Sequence, residues 1–174
     1  MAATQPVRIR RLLTEAEGYL ELQMPQQALR ALQRIDDPAT FRAQWLHLQG
    51  LARQQLGQQD QALALLEQAA ELAPSSLGIQ LSLAAQLRQQ GRLDEAVERL
   101  VQVMNDVPEL AGESALHYAL ARLYSLQGDK AHLLWHLSKA IELSPELREQ
   151  LPQEEDFRPF ADDPDFQALL SIIV

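Results

Sequence analysis

The chain of 174 residues contains no cysteine and carries a formal net charge of −9, which excludes a disulfide framework and thiolate metal sites and disfavours nucleic-acid binding, an affinity that rests on Lys and Arg. Its length suffices for one domain with a real core, and no apolar run reaches the roughly 18 residues of a membrane span. The opening MAATQPVRIRRLL sets its arginines beside too short an apolar stretch for a secretory signal, so a cytoplasmic protein that binds neither nucleic acid nor membrane is the expectation.

After a short extension, residues 1–8, the sequence begins to repeat itself. Ala28, Ala62 and Ala96 stand 34 residues apart, as do Leu32, Leu66 and Leu100, and so do Gly57 and Gly91. A fourth unit follows with three extra residues near ELAGES, so that Gly128, Leu137 and Ala140 fall 37 after Gly91, Leu100 and Val103. The spacing predicts four helical hairpins over 9–42, 43–76, 77–110 and 114–145. In the second, Trp45, Leu46, Leu48, Leu51, Ala52 and Leu56 fit one helix, Gly57 breaks it, and Ala62, Leu63, Leu65, Leu66, Ala69 and Leu72 fit another. Pro74 forbids its continuation. Small residues recur in the first helix of each unit at Ala16, Gly50, Ala84 and Ala121, where a tight hairpin needs close backbone approach.

The remaining segment, 146–174, is acidic: eight acids stand there against Arg148 and Arg158, two thirds of the net charge. Asp163 followed by Pro164 is a strong helix start, and Phe166, Leu169, Leu170 and Ile173 make an apolar stripe behind it. Phe157 and Phe160 precede them, placed to anchor a cap over the last hairpin. The same acids could instead dock on a neighbouring copy, so self-association through this segment stays open.

Gly50, Gly57, Ala62, Ala69 and Pro74, then Gly91, Ala96 and Pro108, then Ala121, Tyr124, Gly128, Ala140 and Pro145 make a pattern that resembles the tetratricopeptide repeat. The departures are local: Arg53 replaces the aromatic supplied elsewhere by Tyr19 and Tyr124, Leu133 replaces an alanine, Gln23 replaces the turn glycine, and the first unit lacks its closing proline. The resemblance implies an all-α fold, a right-handed superhelical solenoid of about four helix-turn-helix hairpins with a C-terminal capping helix. Hairpins that cannot bury their apolar faces alone would share a continuous core. It also implies a groove, lined by the first helices, for a peptide or protein partner.

Spacing places on that wall Arg10, Leu13, Glu17 and Leu20; Gln44, His47, Leu51 and Gln54; Leu81, Ala85, Arg88 and Gln89; and Tyr118, Arg122 and Ser125. Amides, two arginines and an amphipathic ring suit hydrogen bonds to a backbone or a carboxylate, so a polar or acidic segment is the expected partner. The subclass that clamps a C-terminal carboxylate with Lys and Asn is not matched, since Leu13, Glu17, Leu48, Gly78 and Ser82 stand at those positions.

Catalytic and metal chemistry find little support. His132 and His136 share a helix face at a spacing that could hold zinc, but no third ligand follows, and packing or simple exposure accounts for them better. Ser114 and His117 lack an orienting third group, and the GDK turn is no phosphate loop. Trp45 and Trp135 fall within apolar patterns and read as packing residues. The expected function is therefore a non-enzymatic interaction module or adaptor with no cofactor and no metal. A self-assembling homo-oligomer and a small chaperone are the alternatives.

Overall fold

Helix-forming Ala, Leu, Gln and Glu dominate every repeat, and the computed structural model, which describes residues 4–171, is correspondingly helical with no strand among those residues. The helices gather into two compact units, Met1–Gln90 and Gly91–Val174. No helix among the described residues is long and apolar enough to cross a membrane.

The first unit holds α1 (Thr4–Glu21), α2 (Pro25–Gln33), a 3-10 turn at Ala39–Phe41, α3 (Arg42–Gln55), α4 (Gln59–Leu72) and α5 (Leu77–Gln89). Of the expected extension, Thr4–Arg8 form the first turns of α1, because Pro6 stands where a helix tolerates proline and nothing breaks the chain before Ile9, and residues 1–3 lie outside the described residues. Ile9, Leu12, Leu13, Ala16 and Leu20 of α1 are buried against Ala28, Ala31 and Leu32 of α2 and Leu48 and Ala52 of α3. Between α3 and α4 the backbones come close at Gly50, where an added Cβ would stand 2.8 Å from Leu66 Cγ. The buried Gln80 amide of α5 donates to the carbonyls of Ala70, Ala73 and Pro74 at 3.1, 3.3 and 3.2 Å, satisfying acceptors that the end of α4 leaves open.

The hairpin turns share one geometry. Gly57 N–H donates to Gln54 O and Gln58 N–H to Arg53 O, both at 2.9 Å, with Gly57 at φ 72°. In the first hairpin the same pair of bonds runs from Gln23 to Leu20 and from Met24 to Tyr19, at 3.0 and 2.8 Å. Gln23 makes that turn at φ 57° without being glycine, a left-handed conformation that is strained for a residue with a Cβ.

The second unit holds α6 (Leu93–Asp106), a 3-10 turn at Pro108–Gly112, α7 (Ser114–Gln127), α8 (Lys130–Leu143), α9 (Leu147–Gln150), further 3-10 turns at Leu151–Gln153 and Glu155–Phe160, and α10 (Pro164–Ser171). Asp129 caps α8, its carboxylate accepting from His132 N–H at 3.1 Å, and Asp163 does the same for α10 through Phe166 N–H at 3.2 Å. The C-terminal segment closes this unit's core: Leu151, Phe157 and Phe166 are buried with Ala121, Leu133, Leu137 and Ile141. Leu169 and Leu170 pack at its edge, whereas Ile173 lies outside the described residues.

Candidate functional site

In the first unit, the wall residues of α1, α3 and α5 meet through side-chain hydrogen bonds. Gln44 Nε2 donates to Glu17 Oε1 at 2.8 Å, joining α3 to α1. His47 Nε2 lies 2.8 Å from Ser82 Oγ; because that hydroxyl donates to Gly78 O at 2.9 Å, the imidazole is the donor and its Nε2 carries the proton. Gln54 Nε2 donates to Gln89 Oε1 at 3.1 Å, a second tie between α3 and α5. Burial holds His47 below the ordinary histidine range, so it is neutral at neutral pH. Leu51, Leu81, Ala85 and Arg88 are half-buried among these polar groups. Arg10 is exposed and places its guanidinium 5.4 Å from the centre of the Phe41 ring.

Two wall assignments need correction. Leu13 and Leu20 are 1% and 7% exposed and belong to the core, since they continue the stripe of Ile9, Leu12 and Ala16 around α1 rather than the polar face of Arg10 and Glu17. The stripe was readable from the helical period alone.

In the second unit, Tyr118, Arg122 and Ser125 lie beneath the chain's own acidic segment. Arg122 holds Asp156 Oδ2 with Nε at 2.7 Å and Nη2 at 2.6 Å, and its Nη2 stands 3.7 Å from Glu154. Ser125 Oγ donates to the Asp156 carbonyl at 2.5 Å. Next in the chain, the buried Phe157 ring meets the Tyr118 ring edge-on, their centres 5.8 Å apart. Burial, reinforced by the Glu154 charge and opposed by Arg122, pushes the Tyr118 phenol up to about 12. An acid, a carbonyl and an aromatic ring from 154–157 thus occupy the three side chains that spacing assigned to a partner.

His132 and His136 both stack on the Tyr124 ring but hydrogen-bond to different neighbours. His132 Nδ1 pairs with Asp129 at 2.8 Å while its ring stacks on Tyr124 at 4.8 Å. His136 is buried, with Nδ1 2.9 Å from Nδ1 of His117, whose Nε2 donates to Ala111 O at 3.0 Å. His117 is therefore the acceptor and His136 the donor between the rings. The residue that sequence reasoning missed is His117, paired on paper with Ser114. Among the described residues no group of three or more His, Asp or Glu is placed to hold a metal ion.

The tryptophans differ as well. Trp45 is half-buried and donates from Nε1 to Leu32 O at 3.1 Å, a packing role. Trp135 is not a core residue: it is 53% exposed and borders a pocket of about 350 Å³ with Met104, His117 and Leu143.

A tetratricopeptide-repeat family model matches residues 43–76, the α3–α4 hairpin. No curated protein matches the sequence. Among solved structures, a kinesin light chain described as putative, from Podosopora anserina and with nearly identical TPR-like repeats, is 23% identical with a TM-score of 0.72, covering 95% of this chain and 92% of its own. MamA from Desulfovibrio magneticus RS-1 is 19% identical at a TM-score of 0.65, covering 94% and 93%. YrrB, described as a TPR protein with an unusual peptide-binding site, is 22% identical at 0.64, covering 79% of this chain and 70% of its own. Residues 43–76 are thus matched as a tetratricopeptide repeat, and the chain as a whole has the all-α fold of tetratricopeptide-repeat solenoids.

Proposed function

We propose that the chain is a non-enzymatic adaptor that binds a peptide or protein partner on the face shared by α1, α3 and α5. The observation that carries this reading is the row of Gln44, His47, Gln54 and Gln89, tied helix to helix by hydrogen bonds and interleaved with the half-buried Leu51, Leu81 and Ala85. Amides that pair with one another near a surface can exchange those bonds for a ligand's backbone at little net cost, because each such bond is worth only about 0.5–1.5 kcal/mol. The apolar side chains between them supply area that a bound chain would take out of water. The described peptide-binding site of YrrB, on the same fold, supports the reading.

The test is site-specific photo-crosslinking in native extract. A benzoylphenylalanine at Gln54 or at Leu81 should trap the partner, whereas one at Glu67, exposed on α4, should trap nothing. Crosslinks from Glu67 with none from Gln54 and Leu81 would move the function off this face.

A further inference from the structure

We infer that the second unit carries an interaction surface of its own, the apolar pocket beside Trp135, and that its partner is a basic segment in which large apolar side chains are flanked by Arg or Lys. On α8, Trp135, Lys139, Glu142 and Leu143 fall at i, i+4, i+7 and i+8, one face of the helix. Met104 near the end of α6, and Ala111 and Gly112 of the 3-10 turn, join them in lining a pocket of about 350 Å³. Leu133, Leu137 and Ile141 already give α8 its buried stripe, so the exposed Trp135 and Leu143 are apolar area beyond what that core uses. Trp135 is nevertheless held in place. Its ring meets the buried His136 and His117 edge-on, their centres 4.6 and 5.6 Å away.

An indole fixed in this way loses little freedom when its remaining area is covered, which suits it to anchor a partner. Met104 supplies a flexible side chain that conforms to what enters. Charge selects the partner. Asp106, Glu109, Glu113, Glu142 and Glu146 are exposed and stand in the lining or within three residues of it. Against them is one cation, Lys139, whose Nζ donates to Glu142 at 2.8 Å. The rest of the unit agrees: Gly91–Val174 holds sixteen acids and seven Lys or Arg, the whole of the net charge of −9, whereas Met1–Gln90 has eight of each. An acidic segment would be repelled here and a neutral one would gain nothing from the rim. Arg or Lys meets carboxylates at the edge and an indole ring beside the apolar seat.

The probe is the capped heptapeptide KRLFLRK, titrated by calorimetry into the full-length protein in about 0.15 M NaCl. Two controls accompany it: KRSGSRK keeps the charge and EELFLEE keeps the apolar residues. KRLFLRK should bind saturably, and each control at least about tenfold more weakly. Trp135→Ala should weaken KRLFLRK at least about fivefold. Gly112→Leu should do the same by filling the pocket from a position where an added Cβ meets nothing within 4 Å, which tests the site while leaving His117 and His136 in place. Glu109→Gln combined with Glu113→Gln should weaken it as well. Absence of saturable binding, or insensitivity to any of these three variants, would overturn the inference. Equal binding of KRSGSRK would reduce it to a charge effect without a site, and equal binding of EELFLEE to an apolar ligand of no set charge; either result overturns the basic partner. Sedimentation of the protein alone supplies the last arm. Self-association that Trp135→Ala abolishes would make a second copy the occupant and overturn it too, whereas a monomer at every concentration leaves the pocket to the basic segment.

Discussion

Phe166 and Phe157 should hold the end of this protein far more strongly than the ion pairs that surround them. Both rings are buried, 2% and 1% exposed, with centres 5.9 Å apart, and they fill the core formed by Ala121, Leu133, Leu137, Ile141 and Leu151. Replacing a buried Phe by Ala removes transfer free energy and leaves a cavity, about 3–5 kcal/mol together, which for a chain of this size lowers Tm by about 10 °C. Lys130 anchors the same segment at 2.6 Å from Asp163 and 2.8 Å from Asp165, but it is exposed and the pair is screened by salt. Phe166→Ala should therefore depress the melting transition strongly, Lys130→Ala should scarcely move it, and raising NaCl from 0.1 to about 1 M should have little effect on either. Circular dichroism melts decide this, with light scattering to follow association. Truncation after Pro145 should expose the same apolar residues and drive aggregation. Were Lys130→Ala to cost as much as Phe166→Ala, or the truncated chain to stay monomeric and equally stable, the apolar account of the cap would be refuted.

Acid should weaken the protein before its carboxylates titrate. Burial, then the neighbouring His117 and His132, pushes His136 down to about 4, so the unfolded chain, with an ordinary histidine near 6.5, binds more protons between those values. Stability is then fully present above about pH 6.5 and falls by about 2–3 kcal/mol toward pH 4.5. The lowered His47 adds in the same direction. Urea titrations should show that fall, and His136→Gln should remove most of it while lowering stability at neutral pH; a flat profile from pH 7 to 5 would refute the linkage. Gln23→Gly should stabilise the first hairpin by about 0.5–1 kcal/mol, since relief of a left-handed Gln exceeds the added freedom of an unfolded Gly. Its melting point should rise by a few degrees, and an unchanged or lower one would mean that the turn carries no strain.

The repeats were readable because their information is local and recurs. A glycine that must adopt positive φ, a small residue where two backbones meet and an apolar residue every three or four positions each mark a place in a hairpin without reference to anything distant. Gly57, Gly91 and Gly128 all take φ between 72° and 76°, and Gly50 leaves no room for a Cβ beside Leu66. Leu13 and Leu20 are buried by a stripe that the helical period of α1 already marks. His117 is another matter: its bond to His136 spans 19 residues and depends on how α7 faces α8, which no short period encodes, whereas the four-residue spacing of His132 and His136 only sets both rings against Tyr124.

The acidic segment shows why the candidate site was the harder part. Its cap residues were legible as Asp163, Pro164 and Phe166 because a helix start is a local signal. Residues 151–160, by contrast, are 3-10 turns without a sustained period, so nothing in their sequence sets which acid meets which helix position. Arg122 looked like a free cation on a wall, and it became the partner of Asp156 only through a fold-back of 34 residues. Exposure predicted from periodicity assumes that nothing else in the chain covers the face, an assumption that holds least at the last hairpin, where the apolar end has to be closed. A wall in the middle of a repeat array is under no such demand. That difference is why α7 carries its acid and ring in cis, while the face of α1, α3 and α5 is where the proposed partner in trans should be sought.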